Sequence, residues 1–269
     1  MNHLLRELAP LTDAAWGAID EEARERLVPA LAARKLIDFE GPRGWAHSST
    51  DLGRVEPVED VPAGGVTARR RVVLPLVELR APFSLRRREV ETVDRGARDP
   101  DLGPLDEAAR RIAFAENAAV FHGWPEAGVR GIAPASPHPP ITITDDFGEF
   151  PRHAAKAVEL LLQTGIGGPY GLALGPDPYR GVIETTEHGG YPVLEHLRHI
   201  LAGPLVWAPG VRGAVVLSLR GGDFVMESGQ DLAIGYDHHD AEEVHLYLEE
   251  SFSFQVVTPE AAVALVPRA

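Results

Sequence analysis

The chain has 269 residues, of which 44% are hydrophobic and 25% charged, and this composition predicts a globular protein and excludes a mainly disordered one. It contains no cysteine, which excludes disulfides, thiolate nucleophiles and cysteine-ligated zinc and favours a reducing, cytoplasmic setting. The net charge of -14 argues against nucleic acid as a partner, because a negative protein repels a phosphate backbone. The sequence has no long apolar run, so it predicts neither a signal peptide nor a membrane span.

The amino-terminal segment predicts an amphipathic helix. From Thr12 to Lys35 the apolar residues recur at steps of three and four. Thr12 is a suitable N-cap, and Asp13 suits the positive end of the helix dipole. Because Pro29 removes a helical hydrogen bond, we expect the helix to break there into two pieces.

A long hairpin is predicted after this helix. Residues 36–50 predict a short strand and a turn, and residues 52–83 contain two strand-like runs separated by residues 62–65. Pro75 lies in the second run and is typical of an edge strand or a bulge. Because an exposed edge of this length must pair with something, we expect it to contact a neighbouring subunit.

Helices and strands then alternate before a strand-rich end. The predicted helices are Pro104–His122, which Gly123 would end, Phe150–Gln163, Asp177–Ile183 and Val193–Leu201. The predicted strands are Tyr170–Leu174, Ala214–Leu219, Asp223–Glu227, Asp231–Tyr236 and Val244–Val257. This order of elements predicts the α+β class.

Three patterns invite a chemical interpretation, and none of them is complete. The glycines of Gly165–Gly171 follow a helix and precede a strand, the reverse of a dinucleotide-binding loop, so they predict a turn. His196 and His199 share a helix face but lack an evident third metal ligand. His238 and His239 are neighbours that point to opposite faces of a strand, so they predict a hydrophilic hairpin tip, with metal binding as the alternative.

Several motifs resemble those of encapsulins, a family of shell proteins once described as linocin-type bacteriocins. They occur in the family's order and cover nearly the whole length of the chain. The motifs are Arg6-Glu7-Leu8-Ala9-Pro10-Leu11-Thr12, Gly41-Pro42-Arg43-Gly44-Trp45, Pro75-Leu76-Val77-Glu78-Leu79-Arg80, Asp94-Arg95-Gly96, Gly229-Gln230-Asp231-Leu232-Ala233-Ile234-Gly235-Tyr236 and Phe252-Ser253-Phe254-Gln255-Val256-Val257. The resemblance implies the tailed-phage major-capsid (HK-type) fold, with an N-terminal helix, an extended β-hairpin loop, a spine helix, and peripheral and axial domains.

The resemblance also implies domain boundaries. Residues 1–50 form the N-terminal helix and an interior-facing segment, residues 51–83 form the extended loop, and residues 131–210 form the axial domain. The peripheral domain with the spine helix combines residues 84–130 and 211–269.

Function in this family is containment. The resemblance implies a self-assembling icosahedral shell of about sixty copies. By the resemblance, the shell encloses a dye-decolourising peroxidase or a ferritin-like iron oxidase, which connects it to oxidative stress and iron storage. An apolar interior groove binds the C-terminal targeting peptide of this cargo. The residues assigned to this groove are Leu27, Leu31, Leu36, Ile37, Leu232, Ile234 and Tyr236. For each of them, burial in the subunit core is the alternative.

Two further sites follow from the resemblance. The loop around the fivefold pore contains Glu184, Glu187, His188 and Tyr191, with an ordinary solvated loop as the alternative. Some members stack a flavin on a tryptophan in the return strand of the extended loop, but this chain has Arg88 at that place. We therefore expect no flavin, no other cofactor and no metal.

Two other interpretations stay open. A phage or prophage major capsid protein has the same fold, although a charge of -14 is unsuited to lining a packed genome. A hydrolase needs a serine, a histidine and an acid that converge in space, and the sequence lacks a Gly-x-Ser-x-Gly elbow. We expect a shell subunit and not an enzyme.

Overall fold

A computed structural model describes residues 2–187 and 189–268. The helices are α1 (Asp13–Ala30), α2 (Arg87–Asp94), α3 (Gly103–His122), α4 (Ile132–Ala135), α5 (Phe150–Gln163), α6 (Pro176–Glu184) and α7 (Val193–Leu201). Within these two described ranges, none of the helices combines the length and the apolar character that a bilayer span requires.

The strands form two five-stranded sheets and a separate hairpin. They are β1 (Asp38–Glu40), β2 (Ser49–Val58), β3 (Ala68–Pro75), β4 (Val77–Arg86), β5 (Ile141–Ile143), β6 (Tyr170–Leu174), β7 (Leu205–Trp207), β8 (Ala214–Ser218), β9 (Phe224–Ser228), β10 (Ala233–His239), β11 (Glu243–Val256) and β12 (Ala262–Pro267). The mixture of helix and sheet confirms the α+β class.

The helix α1 confirms the predicted amino-terminal helix and its break. Thr12 Oγ1 accepts a hydrogen bond from the Ala15 amide at 3.1 Å and so caps the first turn. Pro29 lies in the last turn, and the helix ends at Ala30. The chain then makes a short 3-10 turn at Ala33–Lys35, which is the second piece of the predicted helix.

The predicted spine helix is confirmed as α3. Pro104 lies in its first turn, where a missing amide hydrogen is harmless, and Gly123 follows its last residue with a φ of 85°. Its buried face, which includes Leu105, Ile112 and Phe121, packs against α1 on one side and against β4 and β11 on the other. The helix therefore lies at the centre of the core.

The first sheet is built around β11. β4 pairs antiparallel along one edge of β11, while β10 and then β9 follow one another along the opposite edge, and β1 pairs parallel with β9. Ala233 stands opposite Glu249 and Ser228 opposite Phe252, so residues 229–232 bulge out opposite only two residues of β11. A bulge redirects the side chains at the interruption.

The second sheet has the strand order β5-β12-β8-β6-β7, and β6 and β8 are buried along their whole length. α5 packs on this sheet, and Gly165 follows its last turn with a φ of 78°, which confirms the predicted glycine turn. The sheet takes β8 and β12 from the segment 211–269 that was assigned to the peripheral domain. The predicted boundary at residue 210 therefore divides one sheet.

The hairpin is shorter than predicted. β2 and β3 pair with each other from Ser49 opposite Pro75 to Val58 opposite Ala68. Residues 77–83, which the prediction placed in the extended loop, begin β4 in the first sheet instead. Every second residue along most of β4 is buried, which ties this strand to the core, whereas β2 and β3 are exposed or half-buried throughout. The exposed hairpin therefore consists of β2 and β3 and does not include residues 77–83.

Candidate functional site

Four of the residues predicted for the groove line one cavity. Leu27 and Leu31 reach it from the end of α1, and Leu232 and Ile234 reach it from the start of β10. The cavity has a volume of about 480 Å³ and opens to solvent. A helix thus forms one wall of the groove and an edge of the first sheet forms the other.

The groove has a buried floor and an exposed rim. The side chains of Leu27, Leu31 and Ile234 are 6%, 8% and 3% exposed, so they belong to the core as well as to the groove. Val28 lines the same groove and is 58% exposed. The sequence argument missed Val28 because it considered only the buried stripe of α1; the signal was an aliphatic residue one position outside that stripe. The rim therefore offers apolar surface that the subunit's own core does not cover.

The other three predicted groove residues lie elsewhere. Leu36 and Ile37 follow the 3-10 turn and line a second cavity of about 200 Å³ together with Phe224. The Tyr236 amide donates a hydrogen bond to the Leu4 carbonyl oxygen at 2.8 Å, so this part of β10 is covered by the amino-terminal segment. The structure thus separates Leu36, Ile37 and Tyr236 from the groove.

Ion pairs fix the outer end of the groove. The Arg6 guanidinium lies 2.7 Å from an Asp20 carboxylate oxygen and 3.9 Å from the centre of the Trp16 ring. Arg24 pairs with Glu21 at 3.0 Å one turn further along α1. The Arg6 contacts link the segment before α1 to the helix, and Arg6, Asp20 and Arg24 line the groove.

A charged cluster lies at the inner end of the groove, and we name it the Arg34 cluster: Arg34, Glu116, Asp231 and Glu250. Arg34 Nε donates to Glu116 at 2.7 Å, Nη1 to Asp231 at 2.6 Å and Nη2 to Glu250 at 2.7 Å. Glu116 comes from α3, Glu250 from β11 and Asp231 from the bulge between β9 and β10. Only Asp231 is well exposed, at 41%, against 0% and 1% for the two glutamates. One guanidinium therefore joins three parts of the fold.

Asn117, beside Glu116 on α3, caps the end of α1 from within the core. Its side-chain oxygen accepts hydrogen bonds from the amides of Ala32 and Ala33, both at 3.0 Å. Its amide nitrogen donates to the carbonyl oxygens of Ala30 and Pro209, both at 2.9 Å. A helix that Pro29 ends abruptly thus receives from one side chain the hydrogen bonds that a further turn would have supplied.

The predicted pore loop follows α6. Glu184 ends α6, and Glu187 Oε1 lies 2.7 Å from Nδ1 of His196 on α7. Tyr191 is 46% exposed. His188 lies outside the described residues. The assignment of this loop to a fivefold pore stays a prediction.

The histidine pairs do not form metal sites in the part of the chain that the structure describes. His196 is engaged by the pore loop, and His199 Nδ1 lies 2.8 Å from a carbonyl oxygen of its own helix. The His238 ring stacks on the His245 ring at 4.1 Å, while His239 faces the Tyr236 hydroxyl at 2.6 Å. Over residues 2–187 and 189–268, no group of three or more histidine, aspartate or glutamate side chains is arranged to hold a metal ion.

A serine, a histidine and an acid do converge, but not as a hydrolytic site. Ser84 Oγ lies 2.7 Å from His245 Nδ1, and Asp240 Oδ2 lies 3.8 Å from His245 Nε2, which is beyond hydrogen-bond distance. Ser84 is in a paired stretch of β4 opposite His245, not on a sharp turn that presents its hydroxyl to a substrate. The contact is a cross-strand pair in the first sheet.

Arg88 does not lie in a return strand. It occupies the first turn of α2, and its side chain is 71% exposed. With Arg86 and Arg87 it borders an open cleft whose other side carries Glu242 and Glu243. A guanidinium thus stands at the position where the resemblance implies an aromatic ring, and the absence of a bound flavin stays a prediction.

Comparison with known proteins identifies the family. The model of the Linocin_M18 family, described as "Encapsulating protein for peroxidase", matches residues 1–253. The chain is 50% identical to a type 1 encapsulin shell protein of Rhodospirillum rubrum over 98% of this chain and 96% of the relative. It is 43% identical to the type 1 encapsulin shell protein of Mycobacterium tuberculosis over 98% of this chain and 99% of the relative.

Solved structures show the same fold at low sequence identity. A virus-like particle from Pyrococcus furiosus matches with a TM-score of 0.63 and 16% identity, over 94% of this chain and 98% of that chain. The capsid of Myoviridae phage XM1 matches with a TM-score of 0.54 and 10% identity, over 88% and 91%. These likenesses confirm the predicted major-capsid fold.

The chain shares its fold with phage capsid proteins, but its relatives of high sequence identity are encapsulin shell proteins and not phage capsids. The phage matches share fold at 10–14% identity, whereas the curated encapsulin relatives include five at 42–50% over nearly the full length. The chain belongs to the type 1 encapsulin shell proteins, and it is a capsid-like, self-assembling structural subunit and not an enzyme.

Proposed function

We propose that the shell encloses a cargo enzyme and that the groove between α1 and β10 holds the carboxyl-terminal tail of that cargo. The observation that carries this proposal is Val28, an aliphatic side chain that is 58% exposed above an apolar floor. A tail residue that covers Val28 and Leu232 is removed from water, and each fully buried aliphatic side chain is worth about 1.5–3 kcal/mol.

The groove suits an extended peptide. β10 is the last strand on its side of the first sheet, so its outer edge has backbone groups that another segment can pair with. The amino-terminal segment already uses this edge, because the Tyr236 amide donates to the Leu4 carbonyl oxygen at 2.8 Å. A tail in the groove would add to the same edge and place alternate side chains against Leu27, Leu31 and Ile234.

Weak capture at one groove is sufficient for retention in a shell. If about sixty copies line one interior under closed symmetry, each cargo molecule meets many grooves, and the effective concentration of sites is high. We propose a dye-decolourising peroxidase or a ferritin-like iron oxidase as the cargo, in a cytoplasmic compartment that serves oxidative-stress defence or iron storage. The description of the matching family, "Encapsulating protein for peroxidase", supports the peroxidase as cargo.

The test compares Val28→Asp with Leu162→Asp. Both residues are aliphatic, helical and 58% exposed, but only Val28 lines the groove. Shells are co-expressed with a fluorescent protein that carries the carboxyl-terminal tail of a dye-decolourising peroxidase or, in a second set, of a ferritin-like iron oxidase. The fluorescence that co-elutes with shells is measured. We expect Val28→Asp shells to assemble but to lose the fluorescence and Leu162→Asp shells to keep it.

Shells of Val28→Asp that load as well as the unaltered protein would contradict the groove assignment. Substitution of Leu31 or Ile234 by aspartate is a poorer test, because these side chains are 8% and 3% exposed. A charge at such positions costs several kcal/mol of folding free energy and would remove the subunit together with the site.

A further inference from the structure

The Arg34 cluster has a surplus of negative charge that the geometry must accommodate. Three carboxyl groups contact one guanidinium, each at 2.6–2.7 Å. Glu116 and Glu250 are 0% and 1% exposed, so water does not screen them. A buried carboxylate without compensation costs several kcal/mol, which makes three ionised carboxylates around one cation unfavourable.

The two buried glutamates are placed to share one proton. Arg34 occupies Oε2 of both residues, and the other oxygen of each, Oε1, is buried without a further hydrogen-bond partner. The two carboxyl groups lie within hydrogen-bond reach of each other, so a proton shared between them removes one negative charge and gives a partner to a buried oxygen. Consistently, burial raises the pKa of Glu116 and raises that of Glu250 well above its usual range.

The cluster connects the two walls of the groove. Arg34 lies three residues after Leu31, the last groove residue of the helical wall, and Asp231 directly precedes Leu232 on the opposite wall. Arg34 and Asp231 also line the groove themselves. The guanidinium therefore spans from the end of α1 to the bulge before β10, with α3 and β11 behind it.

We propose that Arg34, held by Glu116 and Glu250, positions the end of α1 relative to the bulge at Asp231, and that the width of the tail-binding groove depends on this cluster. The part that concerns the tail rests on the proposed function. Arg34 is a positioning residue: its Nε, Nη1 and Nη2 each donate to a different carboxyl group of the subunit. The compact ammonium group of a lysine cannot reproduce the spread of this planar fork.

The shared proton gives this role a pH dependence. The charged groups that face the glutamate pair are Arg34 from the 3-10 turn and Asp231 from the bulge, while Glu249 points to the other face of β11, where Arg80 binds it. A group whose pKa is raised in the folded state contributes its stabilisation at low pH and loses it as the pH rises through that pKa. Alkaline pH should therefore ionise the pair, repel Glu116 from Glu250 and loosen the end of α1.

The decisive variant is Glu250→Gln. A glutamine amide can accept from Arg34 through its oxygen and donate to Glu116 Oε1 through its nitrogen, so it imitates the protonated glutamate at every pH. Empty shells of the unaltered protein and of Glu250→Gln are compared by hydrogen exchange of residues 27–36 between about pH 7 and about pH 10, a range that spans documented pKa values of buried glutamates. Exchange in α5 corrects for the intrinsic pH effect.

We expect the unaltered protein to lose protection at residues 27–36 at the alkaline end, and Glu250→Gln to retain it. Equal pH dependence in the two proteins would overturn the proposal. Arg34→Lys is the second variant, with reduced protection at all pH values as its expected result; protection equal to that of the unaltered protein would also count against a positioning role.

Tail binding is measured by reassembling dissociated subunits of the same variants at each pH in the presence of the fluorescent tail fusion, because a closed shell would keep the fusion away from an interior groove. We expect binding to the unaltered shell to weaken about ten-fold or more across the transition, since one pKa unit of difference between two states corresponds to a factor of ten, and binding to Glu250→Gln to stay constant. If the exchange results are as expected but the tail binds at no pH, the proposed function is wrong and the positioning role of Arg34 stands.

Discussion

The substitution Asn117→Ala tests how the end of α1 is stabilised. Asn117 is fully buried, and its side chain makes four hydrogen bonds of 2.9–3.0 Å to backbone groups of Ala30, Ala32, Ala33 and Pro209. Alanine leaves these four groups inside the protein without partners. The exposed residue Glu107, on the same helix, provides the control Glu107→Ala.

The expected magnitude follows from the hydrogen bonds. Each buried polar group that loses its partner costs about 1–3 kcal/mol, so four groups give a loss of at least about 4 kcal/mol in the free energy of unfolding. With a guanidinium slope of roughly 5 kcal/mol per molar for a chain of this size, the unfolding midpoint falls by about 0.8 M. The control should change the free energy of unfolding by less than about 0.5 kcal/mol.

The assay is guanidinium unfolding followed by tryptophan fluorescence, to which Trp16, the buried tryptophan of α1, contributes with the three other tryptophans of the chain. Shell yield is measured in parallel, since unfolding of an assembled shell need not be reversible. A midpoint within about 0.2 M of the unaltered protein, with normal shell yield, would show that the carbonyl and amide groups at the end of α1 find other partners and that the cap is dispensable.

Two further predictions concern the hairpin and the glycines. Glu227 anchors the hairpin, because Thr50 of β2 and the nearby His47 hydrogen-bond to its carboxylate. Burial alone would raise the pKa of Glu227, but these hydrogen bonds outweigh burial and lower it. The anchor is therefore lost as the pH falls through the lowered pKa. Hydrogen exchange at residues 49–58 should therefore rise in the unaltered protein as the pH falls through this lowered pKa and show no such step in Glu227→Gln. A step of the same size in both proteins would contradict the anchor. Gly17 lies in the interior of α1 with open space at its Cβ position, so Gly17→Ala should raise the free energy of unfolding by about 0.5–1 kcal/mol in the same guanidinium assay. Gly213→Ala should instead abolish shell assembly, because the φ of Gly213 is 70° and an added Cβ would collide with a backbone carbonyl of β12.

Elements with a strong local pattern were predictable to the residue. α5, β6 and α7 have the predicted bounds, because a periodic or continuous apolar run ends in each case at a glycine, a proline or a polar turn. α2 was missed, since only Val90 of its eight residues is buried and the stretch has too few apolar residues to show a periodicity. β12 was missed because its strand state depends on pairing with β5 and β8, which are distant in sequence.

Four of the seven residues predicted for the groove line the cavity, and the other three do not. Residues on α1 and at the start of β10 converge, but the 3-10 turn at Ala33–Lys35 carries Leu36 and Ile37 away from the groove, and no sequence period predicts that change of direction. The Arg34 cluster could not be predicted, because its members are separated by up to 216 positions. The one local signal was Glu116, the only charged residue among the buried residues of α3.

The bulge at residues 229–232 makes the charged cluster separable from the sheet that carries it. β9 and β10 lie along the same edge of β11, so removing two residues of the bulge would turn them into one continuous strand with an uninterrupted ladder. Such a deletion would withdraw Asp231 from Arg34 without unpairing β11. The length of one bulge therefore allows the electrostatics of the groove to be changed while the pairing of β11 with β4, β9 and β10 is kept.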